Sequence, residues 1–337
     1  MTAITASLVD VPGLEVGQYT LATRLTGCSV VLARQGAVAA VDVRGAAPGT
    51  RETDLLEASN LVSKVHAIVL SGGSAFGLDA ASGVMRWLDE RGIGFATAHG
   101  AVPIVPAAVL FDLPVVREGD DPRARPDAQA GYAACQAASR ARPVSGNVGA
   151  GAGASVGKLF AMDRAMKGGI GHASVHVGPW VVAAMVACNA VGDVIDPATG
   201  RILAGARTAD GLQLLDTQRA MLGGERLQPP VPGTHTTLGI VATNASLDKA
   251  QARRLAMSGH DGLARSIRPA HTPFDGDTLF AMATGFETAP ADLLLLSVMA
   301  AEATARATVD AIQAADCVST RTGVLRSAQA FVEQEML

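Results

Sequence analysis

The sequence predicts an α+β fold in which a mixed or antiparallel sheet is covered by helices. Several β-rich segments follow one another without the intervening helix that a doubly wound α/β fold requires. Other segments carry apolar side chains at helical spacing and could cover the sheet. Glycine is abundant at 37 residues and aromatic residues make up only 4%, so small aliphatic side chains must form the core.

The N-terminal half is predicted to hold three strands and two helices. Residues 28–43 predict two strands joined by a turn at Arg34-Gln35-Gly36, and residues 66–71 predict a buried strand that ends in a glycine turn. The helix that follows is LDAASGVMRWLDERG, with Gly92 as its C-cap. A second helix is predicted over residues 128–142.

The C-terminal half alternates apolar strands with longer helices. The segment WVVAAMVACNAVGDVID predicts a long strand or a hairpin, and residues 203–235, which are polar and contain Gly and Pro, predict an exposed, mobile region. The remaining predicted elements are strands at 236–243 and 278–283 and helices at 247–267 and 290–315, the last one capped by Thr288.

Bulk properties exclude several classes of protein. The 337 residues, 49% of them hydrophobic, suffice for one large domain over residues 1–337 or for two small ones. A net charge of −4 offers no basic surface for nucleic acid or an anionic membrane. The uncharged stretch 172–192 is expected to be a sheet strand with its entry loop rather than a membrane span.

The cysteines and the first residues bear on cofactors and location. Four cysteines lie far apart with no zinc-binding spacing, so each is expected to be a small buried apolar residue. The start MTAITASLVDVPG lacks the basic and apolar regions of a signal peptide. A cytoplasmic protein with reduced thiols is therefore expected.

A first candidate site is the glycine turn that contains Gly72, Gly73 and Ser74. A nucleophile elbow would place glycine where Phe76 stands, and no dinucleotide-binding spacing fits. We expect this turn to cap the following helix and to line a substrate pocket with its backbone N–H groups. A catalytic role for Ser74 stays the less favoured alternative.

A second candidate is GAGAGASVGK, which ends at Lys158. A phosphate-binding P-loop requires glycine at Ala152 and a hydroxyl residue at Leu159, so the nucleotide interpretation fails at both positions. Glycines let a backbone approach a ligand closely. Lys158 is therefore either a site residue or a solvated lysine on a flexible loop.

A third candidate is the group of His260, Asp261, His271, Asp275 and Asp277. These residue types could bind a metal, but their spacing matches no established metal-binding pattern. The Asp275-Gly276 step is also an ordinary turn signal. We expect neither a metal nor an organic cofactor.

The fourth candidate is Thr236, where the proline-rich run PPVPG gives way almost at once to a β-branched strand. A threonine hydroxyl is a poor nucleophile unless a base lies beside it. An N-terminal threonine carries that base as its own α-amine, whose ordinary pKa is roughly 7.7–8.0. Cleavage between His235 and Thr236 would create such a terminus, although strands that begin with threonine are also common.

The sequence around these candidates resembles that of one peptidase family. The segments AVDVRGAAPGTRETD, SGGSAFGL, GAGASVGK, ACNAVGDVID, HTTLGIVATN and HTPFDGDTLF occur in the order typical of the P1-type peptidases. That family includes L-aminopeptidase/D-amidase/D-esterases, β-peptidyl aminopeptidases and endo-type nylon-oligomer hydrolases. The resemblance implies an N-terminal-nucleophile hydrolase with an αββα-type sandwich similar to that of ornithine acetyltransferases. It also implies self-cleavage into chains 1–235 and 236–337, which assemble as a homo-oligomer, expected to be a tetramer.

Individual residues acquire roles through this resemblance. Thr236 matches the nucleophile, and His235 stands where the nylon-hydrolase branch has Asn. Phe111 occupies a position where relatives have a tyrosine near the active site, which removes one hydroxyl from the substrate or oxyanion contacts. The remaining matches are Lys158 at the end of the glycine loop, Asn189 beside the nucleophile, and the orienting pair Asp275 and Asp277.

The resemblance implies hydrolysis of a small amide or peptide-like substrate through an acyl-enzyme. Thr236 would attack, Asn189 with N–H groups of the SGGS turn would stabilise the oxyanion, and Asp277 would hold the threonine. Two alternatives remain open at this point. The first is acyl transfer to an amine, as in ornithine acetyltransferases, and the second is an uncleaved small-molecule binding protein.

Overall fold

The computed structural model describes residues 6–225 and 235–335, and the run PPVPG lies outside them. The helices are α1 (Ala80–Asp89), α2 (Ala128–Ala137), α3 (Thr217–Leu222), α4 (Lys249–Ser266), α5 (Leu293–Gln313) and α6 (Ala328–Glu335). The strands are β1 (Leu14–Thr20), β2 (Gly27–Val43), β3 (Thr50–Arg51), β4 (Lys64–Ser71), β5 (Phe95–Thr97), β6 (Gly100–Val102), β7 (Ala107–Val109), β8 (Ser155–Val156), β9 (Met166–Lys167), β10 (Gly169–Val177), β11 (Trp180–Asn189), β12 (Asp193–Ile195), β13 (Ile202–Ala204), β14 (Thr236–Ala245), β15 (Ile267–Arg268), β16 (Thr278–Glu287), β17 (Val318–Thr320) and β18 (Gly323–Leu325).

The largest sheet is mixed, as the sequence predicts. Its strands run in the order β10-β11-β14-β16-β2-β4-β7-β3, and β1 also pairs with β2. Strand β14 lies antiparallel to β11 and parallel to β16, so it has hydrogen-bonded neighbours on both sides. The first residue of β14 is Thr236, which places the candidate nucleophile at the end of a central strand.

Strand β2 corrects the prediction of two strands over residues 28–43. It is one strand whose pairing with β4 shifts between Leu32 and Ala37. Gly36 adopts a left-handed φ of +76° inside this irregularity. The glycine therefore supports a bulge, which bends a strand without reversing it. One half of β2 pairs with β1 and β4, and its other half pairs with β16.

Three apolar clusters divide the molecule into layers. Because side chains alternate along a strand, Leu279 and Ala281 of β16 face the cluster that includes α4 and α5, whereas Phe280 and Met282 face an inner cluster. The inner cluster also receives Ile68 and other residues of β1, β2, β4 and β7. A third cluster joins this second group of strands to α1 and α2. The resulting layers are helix, strand, strand and helix.

The helices differ from the predictions mainly at their ends. Gly92 adopts a left-handed φ of +63° just after α1, as expected of a C-cap. Helix α2 ends at Ala137, earlier than predicted. Helix α5 is capped by Asp292, whose carboxylate accepts the Leu295 N–H at 3.0 Å, and not by Thr288. None of the helices within 6–225 and 235–335 is long and apolar enough to cross a membrane.

The region predicted to be exposed and mobile is partly ordered and buried. Its described part contains β13 and α3, and the side chain of Asp193 ties the two together. This buried carboxylate accepts the Ala206 N–H at 2.9 Å and both the N–H and the hydroxyl of Thr217 at 2.6 Å. A single buried acid thus orders a segment whose own composition gives no such signal.

Candidate active site

Thr236 lies at the end of β14 with its hydroxyl against the preceding peptide bond. Its Oγ1 donates to the carbonyl oxygen of His235 at 2.5 Å, so the hydroxyl touches the bond that cleavage would break. Its cross-strand partner on β11 is Asn189. The side chain is almost fully buried, with 3% exposure in this uncut chain.

The His235 carbonyl also accepts a main-chain hydrogen bond that sequence analysis missed. Gly276 N–H donates to it at 2.9 Å. A Cβ at this glycine would lie only 2.7 Å from both Thr236 Oγ1 and Ala47 O, so no larger residue fits without a shift. The available signal was the glycine between two aspartates, which indicated close backbone approach but not its target.

Lys158 is a buried partner of Asn189, and the alternative of a solvated loop lysine is wrong. Its Nζ donates to the main-chain oxygen and to the side-chain Oδ1 of Asn189, both at 2.9 Å. Burial lowers the pKa of Lys158 to about 7, and the charge of Asp275 opposes this shift. Near neutral pH a substantial fraction of this amine is therefore unprotonated.

Asn189 connects the lysine to the segment that carries Phe111. Its Oδ1 accepts the Ser155 N–H at 3.0 Å, and its Nδ2 donates to the main-chain oxygen of Phe111 at 3.1 Å. The Asn189 side chain is therefore held from two sides while its second Nδ2 proton can serve another acceptor. Phe111 meets the site through its main chain, and its side chain is half-buried.

The two predicted aspartates lie on the other side of Thr236. Asp277 Oδ1 accepts the N–H of Thr237 at 2.7 Å. The expected contact was with Thr236, one residue earlier in the chain. Asp275 Oδ2 accepts both the N–H and the hydroxyl of Thr272, at 2.8 and 2.6 Å. Burial and the neighbouring charge of Asp277 raise the pKa of Asp275 to about 6.

His235, the residue before the predicted cut, is itself buried. Burial and the nearby charge of Lys158 lower the pKa of its imidazole to about 2. The ring is therefore uncharged at neutral pH. Lys158, whose charge acts on this ring, donates to Asn189.

A sequence model of one family, described as peptidase family S58, matches residues 6–326. The chain belongs to peptidase family S58. It is 44% identical over 349 residues to an uncharacterized aminopeptidase of Mycobacterium leprae, across 95% of this chain and 93% of that protein. It is 33% identical over 278 residues to a 6-aminohexanoate-oligomer endohydrolase of a Kocuria species, across 82% of this chain and 74% of that protein.

The fold of this S58 chain matches a solved N-terminal-nucleophile hydrolase. The L-aminopeptidase D-Ala-esterase/amidase of Ochrobactrum anthropi, described as a variant of the Ntn-hydrolase fold, superposes with a TM-score of 0.70 at 19% identity. The match covers 100% of this chain and 96% of that one. The family resemblance inferred from the motifs is therefore confirmed, and the fold is that of the Ntn hydrolases.

The SGGS turn does not offer the oxyanion donors that were expected of it in this S58 member. Its N–H groups already have protein acceptors: Gly72 donates to Gly27 O at 2.8 Å, Gly73 to Asp112 Oδ1 at 2.8 Å and Ser74 to Leu110 O at 2.9 Å. Two of these acceptors, Leu110 and Asp112, flank Phe111 in the chain. Contact of Gly72, Gly73 or Ser74 with substrate stays a prediction.

The residues considered for a metal do not converge on one point. Asp261 is exposed on α4 and lies 3.8 Å from Arg44, and the His260 Nε2 lies 2.9 Å from the main-chain oxygen of Asp42. His271 Nδ1 instead faces Asp277 Oδ2 at 2.8 Å. Across 6–225 and 235–335, no three His, Cys, Asp or Glu side chains are grouped as metal ligands.

Proposed function

We propose that this chain is a self-processing N-terminal threonine hydrolase that cleaves amide bonds of small, peptide-like substrates. The observation that carries the proposal is the contact of Thr236 Oγ1 with the carbonyl of His235, beneath the N–H of Gly276. A hydroxyl nucleophile, the carbonyl of the bond to be cut and a donor for its oxygen thus occur together. Family S58 membership supports amide chemistry at this position.

Self-cleavage would begin with attack of Thr236 Oγ1 on the carbonyl carbon of His235. The hydroxyl proton passes to the unprotonated fraction of Lys158, and the Gly276 N–H stabilises the oxyanion. The C–N bond then breaks, its nitrogen takes up the proton, and an ester joins His235 to the Thr236 oxygen. Water hydrolyses the ester to a His235 carboxylate and a Thr236 with free amine and hydroxyl.

Substrate turnover would use the new terminus. The α-amine of Thr236 takes the proton from its own hydroxyl as the oxygen attacks the substrate carbonyl. Asn189 can donate its second Nδ2 proton to the oxyanion, and Asp277 holds the strand through the Thr237 N–H. The leaving amine departs with a proton, and water releases the acyl group from Thr236.

We infer the substrate class from the type of bond that the names of the relatives describe, and not from their individual substrates. The curated relatives are named as an aminopeptidase and as an endohydrolase of 6-aminohexanoate oligomers, and both names describe amide-bond hydrolysis. Asn189 contacts the main-chain oxygen of Phe111, whose side chain carries no hydroxyl. We therefore expect activity on small amides, with apolar contact where relatives have a tyrosine.

Intact-mass measurement and N-terminal sequencing of the purified protein test the cleavage. We expect a fragment that spans residues 236–337 and begins TTLGIVATN. A panel of amino-acid amides, β-peptides and amide oligomers, with and without an added amine acceptor, tests the reaction. A single uncut chain without hydrolysis would support a binding protein, and product that forms only with the amine would support an acyltransferase.

We also propose that the processed units assemble as a homo-oligomer, expected to be a tetramer, in the cytoplasm. Leu294 and Val298, one turn apart on α5, are exposed by 78% and 60% and are candidates for the interface. The cysteines Cys28, Cys135, Cys188 and Cys317 are all free, which supports a reducing compartment. Cys317 is exposed, so the expectation that every cysteine is buried is wrong for this residue. Light scattering on the purified protein measures the oligomer directly.

A further inference from the structure

His271 is bound to Asp277 through two separate groups. Its Nδ1 lies 2.8 Å from Asp277 Oδ2, and its main-chain N–H donates to the same oxygen at 3.1 Å. The other carboxylate oxygen of Asp277 accepts the Thr237 N–H at 2.7 Å. A continuous path therefore runs from the imidazole through the carboxylate to the residue beside the nucleophile.

The hydrogen-bond network assigns the ring proton. Nδ1 faces a carboxylate and must donate, so it carries the proton. Nε2 is buried and has no hydrogen-bond partner among residues 6–225 and 235–335. The His260 ring packs edge-on against this ring, with 4.8 Å between the ring centroids. The donor that His271 offers to Asp277 is therefore its Nδ1–H.

Two donors on one oxygen fix the orientation of the Asp277 carboxylate. The N–H and the Nδ1–H of His271 hold Oδ2, and this leaves Oδ1 directed at the Thr237 N–H. A carboxylate held near the freed α-amine of Thr236 favours the ammonium form that develops when the amine accepts a proton. His271 has a left-handed φ of +55°, a conformation that Asn also tolerates.

We propose that His271 is a positioning residue, which acts on self-cleavage and turnover by orienting Asp277 through its Nδ1–H. The inference rests on the proposed threonine-nucleophile function. From the sequence, His271 is a candidate only for metal binding. Its place in HTPFDGD, six residues before Asp277, did not disclose that the chain folds back to bring the two side chains together.

Three substitutions at this position separate an Nδ1–H donor from mere space filling. His271→Asn keeps an amide N–H near the Nδ1 position and tolerates positive φ. His271→Gln carries its N–H one carbon further out, near the Nε2 position, and His271→Ala has no donor. We expect self-cleavage and amide turnover to fall roughly 10- to 100-fold in the Ala and Gln variants and to return to within about fivefold of wild type in the Asn variant.

The controls distinguish failure of this proposal from failure of the proposed function. Wild type and Thr236→Ala together test the proposed function. If the wild-type chain is neither cut nor active, the proposed function itself is wrong. If wild type is cut and Thr236→Ala is not, equal rates for the Asn and Gln variants overturn the role of His271. An Asn variant that unfolds, or that stays as slow as the Ala variant, also overturns it, since its donor is then not what matters.

Discussion

Two buried lysines from the same part of the chain have nearly the same acidity but different surroundings. Lys158 and Lys167 stand nine residues apart, and burial lowers the pKa of each to about 7. Within the part of the chain that the structure describes, Lys158 donates to the two oxygens of Asn189 and to no third acceptor. Lys167 donates to three main-chain oxygens, those of Gly151 at 3.1 Å, Ala154 at 2.9 Å and Gly168 at 2.8 Å.

The difference shows that a shifted pKa does not by itself identify a catalytic group. An ammonium has three protons to donate, and Lys167 uses all of them to hold the glycine-rich backbone in place. Among the described residues, Lys158 uses two of its donors, and both reach the residue paired with Thr236. We therefore propose that Lys158 takes part in the chemistry and that Lys167 supports the fold. Ser155, the cross-strand partner of Lys167, donates its N–H to Asn189.

The largest expected effect is that of removing the Thr236 hydroxyl. The cleavage rate without this hydroxyl is the baseline with which the rates of the two lysine variants are compared. Thr236→Ala should lose self-cleavage and hydrolysis by at least about 10⁴-fold because no other group supplies the nucleophile. Thr236→Ser keeps the hydroxyl and should still be cut. Intact mass over time measures both. Cleavage of the Ala variant at the same bond would disprove the assignment of the nucleophile.

The matched pair Lys158→Met and Lys167→Met tests the comparison itself. Lys158→Met should slow cleavage by about 10³-fold because the proton acceptor is gone. Lys167→Met removes the side-chain donor from three buried carbonyls, of which those of Gly151 and Ala154 keep a main-chain donor at 3.2 and 2.9 Å. A buried carbonyl left without a donor costs about 1–3 kcal/mol of unfolding free energy, so we expect this variant to melt lower than Lys158→Met.

Thermal melts and cleavage rates of the two variants give the answer together. A stable, well-folded Lys167→Met protein that fails to cleave would reverse the two assignments. A Lys158→Met protein cut at the wild-type rate would remove Lys158 from the chemistry. A methionine keeps the length and apolar stem of lysine, so packing changes little in either case.

The next largest effect concerns the acidic side of the site. Asp277→Asn keeps the shape but removes the charge and should lower turnover about 100-fold. The amide oxygen can still accept the Thr237 N–H, but the amide NH2 then faces the two donors of His271, so the melting temperature should also fall. Full activity together with an unchanged melting temperature would return this aspartate to an ordinary turn residue.

How far the sequence predicts the molecule depends on how local each feature is. Strands β14 and β16 begin where predicted because their β-branched and apolar runs are local signals. The bulge in β2 was mistaken for a hairpin turn, since Gly36 supports either and only the partner strands decide. The mixed sheet was predictable for the same reason as the strands, from the lack of intervening helices.

The candidate site shows the same division. Sequence motifs predict Thr236, Asn189 and the two aspartates as site residues. The structure brings them together at the start of β14. The burial of Lys158 was not predictable because a glycine-rich segment has the composition of an exposed loop. The link from His271 to Asp277 depends on a chain reversal that no periodicity reports.

A pH profile gives a smaller and graded test of Lys158. Protonation of Lys158 removes its capacity to accept the Thr236 proton, so the self-cleavage rate should fall as the pH drops through about 7 and level off above it. The fall should be about tenfold for each pH unit below the midpoint. Lys158→Met should show no such midpoint, whereas stable variants of exposed lysines such as Lys64 should keep it.

The smallest expected effect belongs to Thr237, the neighbour that could be confused with the nucleophile. Side chains alternate along β14, so the Thr237 hydroxyl points away from the face on which Thr236 meets the His235 carbonyl. Its contribution is the main-chain N–H that Asp277 accepts, and alanine keeps that N–H. Thr237→Ala should therefore be cut within about threefold of the wild-type rate, since no lost contact reaches the reacting atoms. N-terminal sequencing of its product should begin Thr-Ala-Leu. If Thr237→Ala is not cut while Thr236→Ala is cut, the nucleophile is Thr237, one residue further along the strand. The contact of Lys158 with Asn189 then does not serve Thr236.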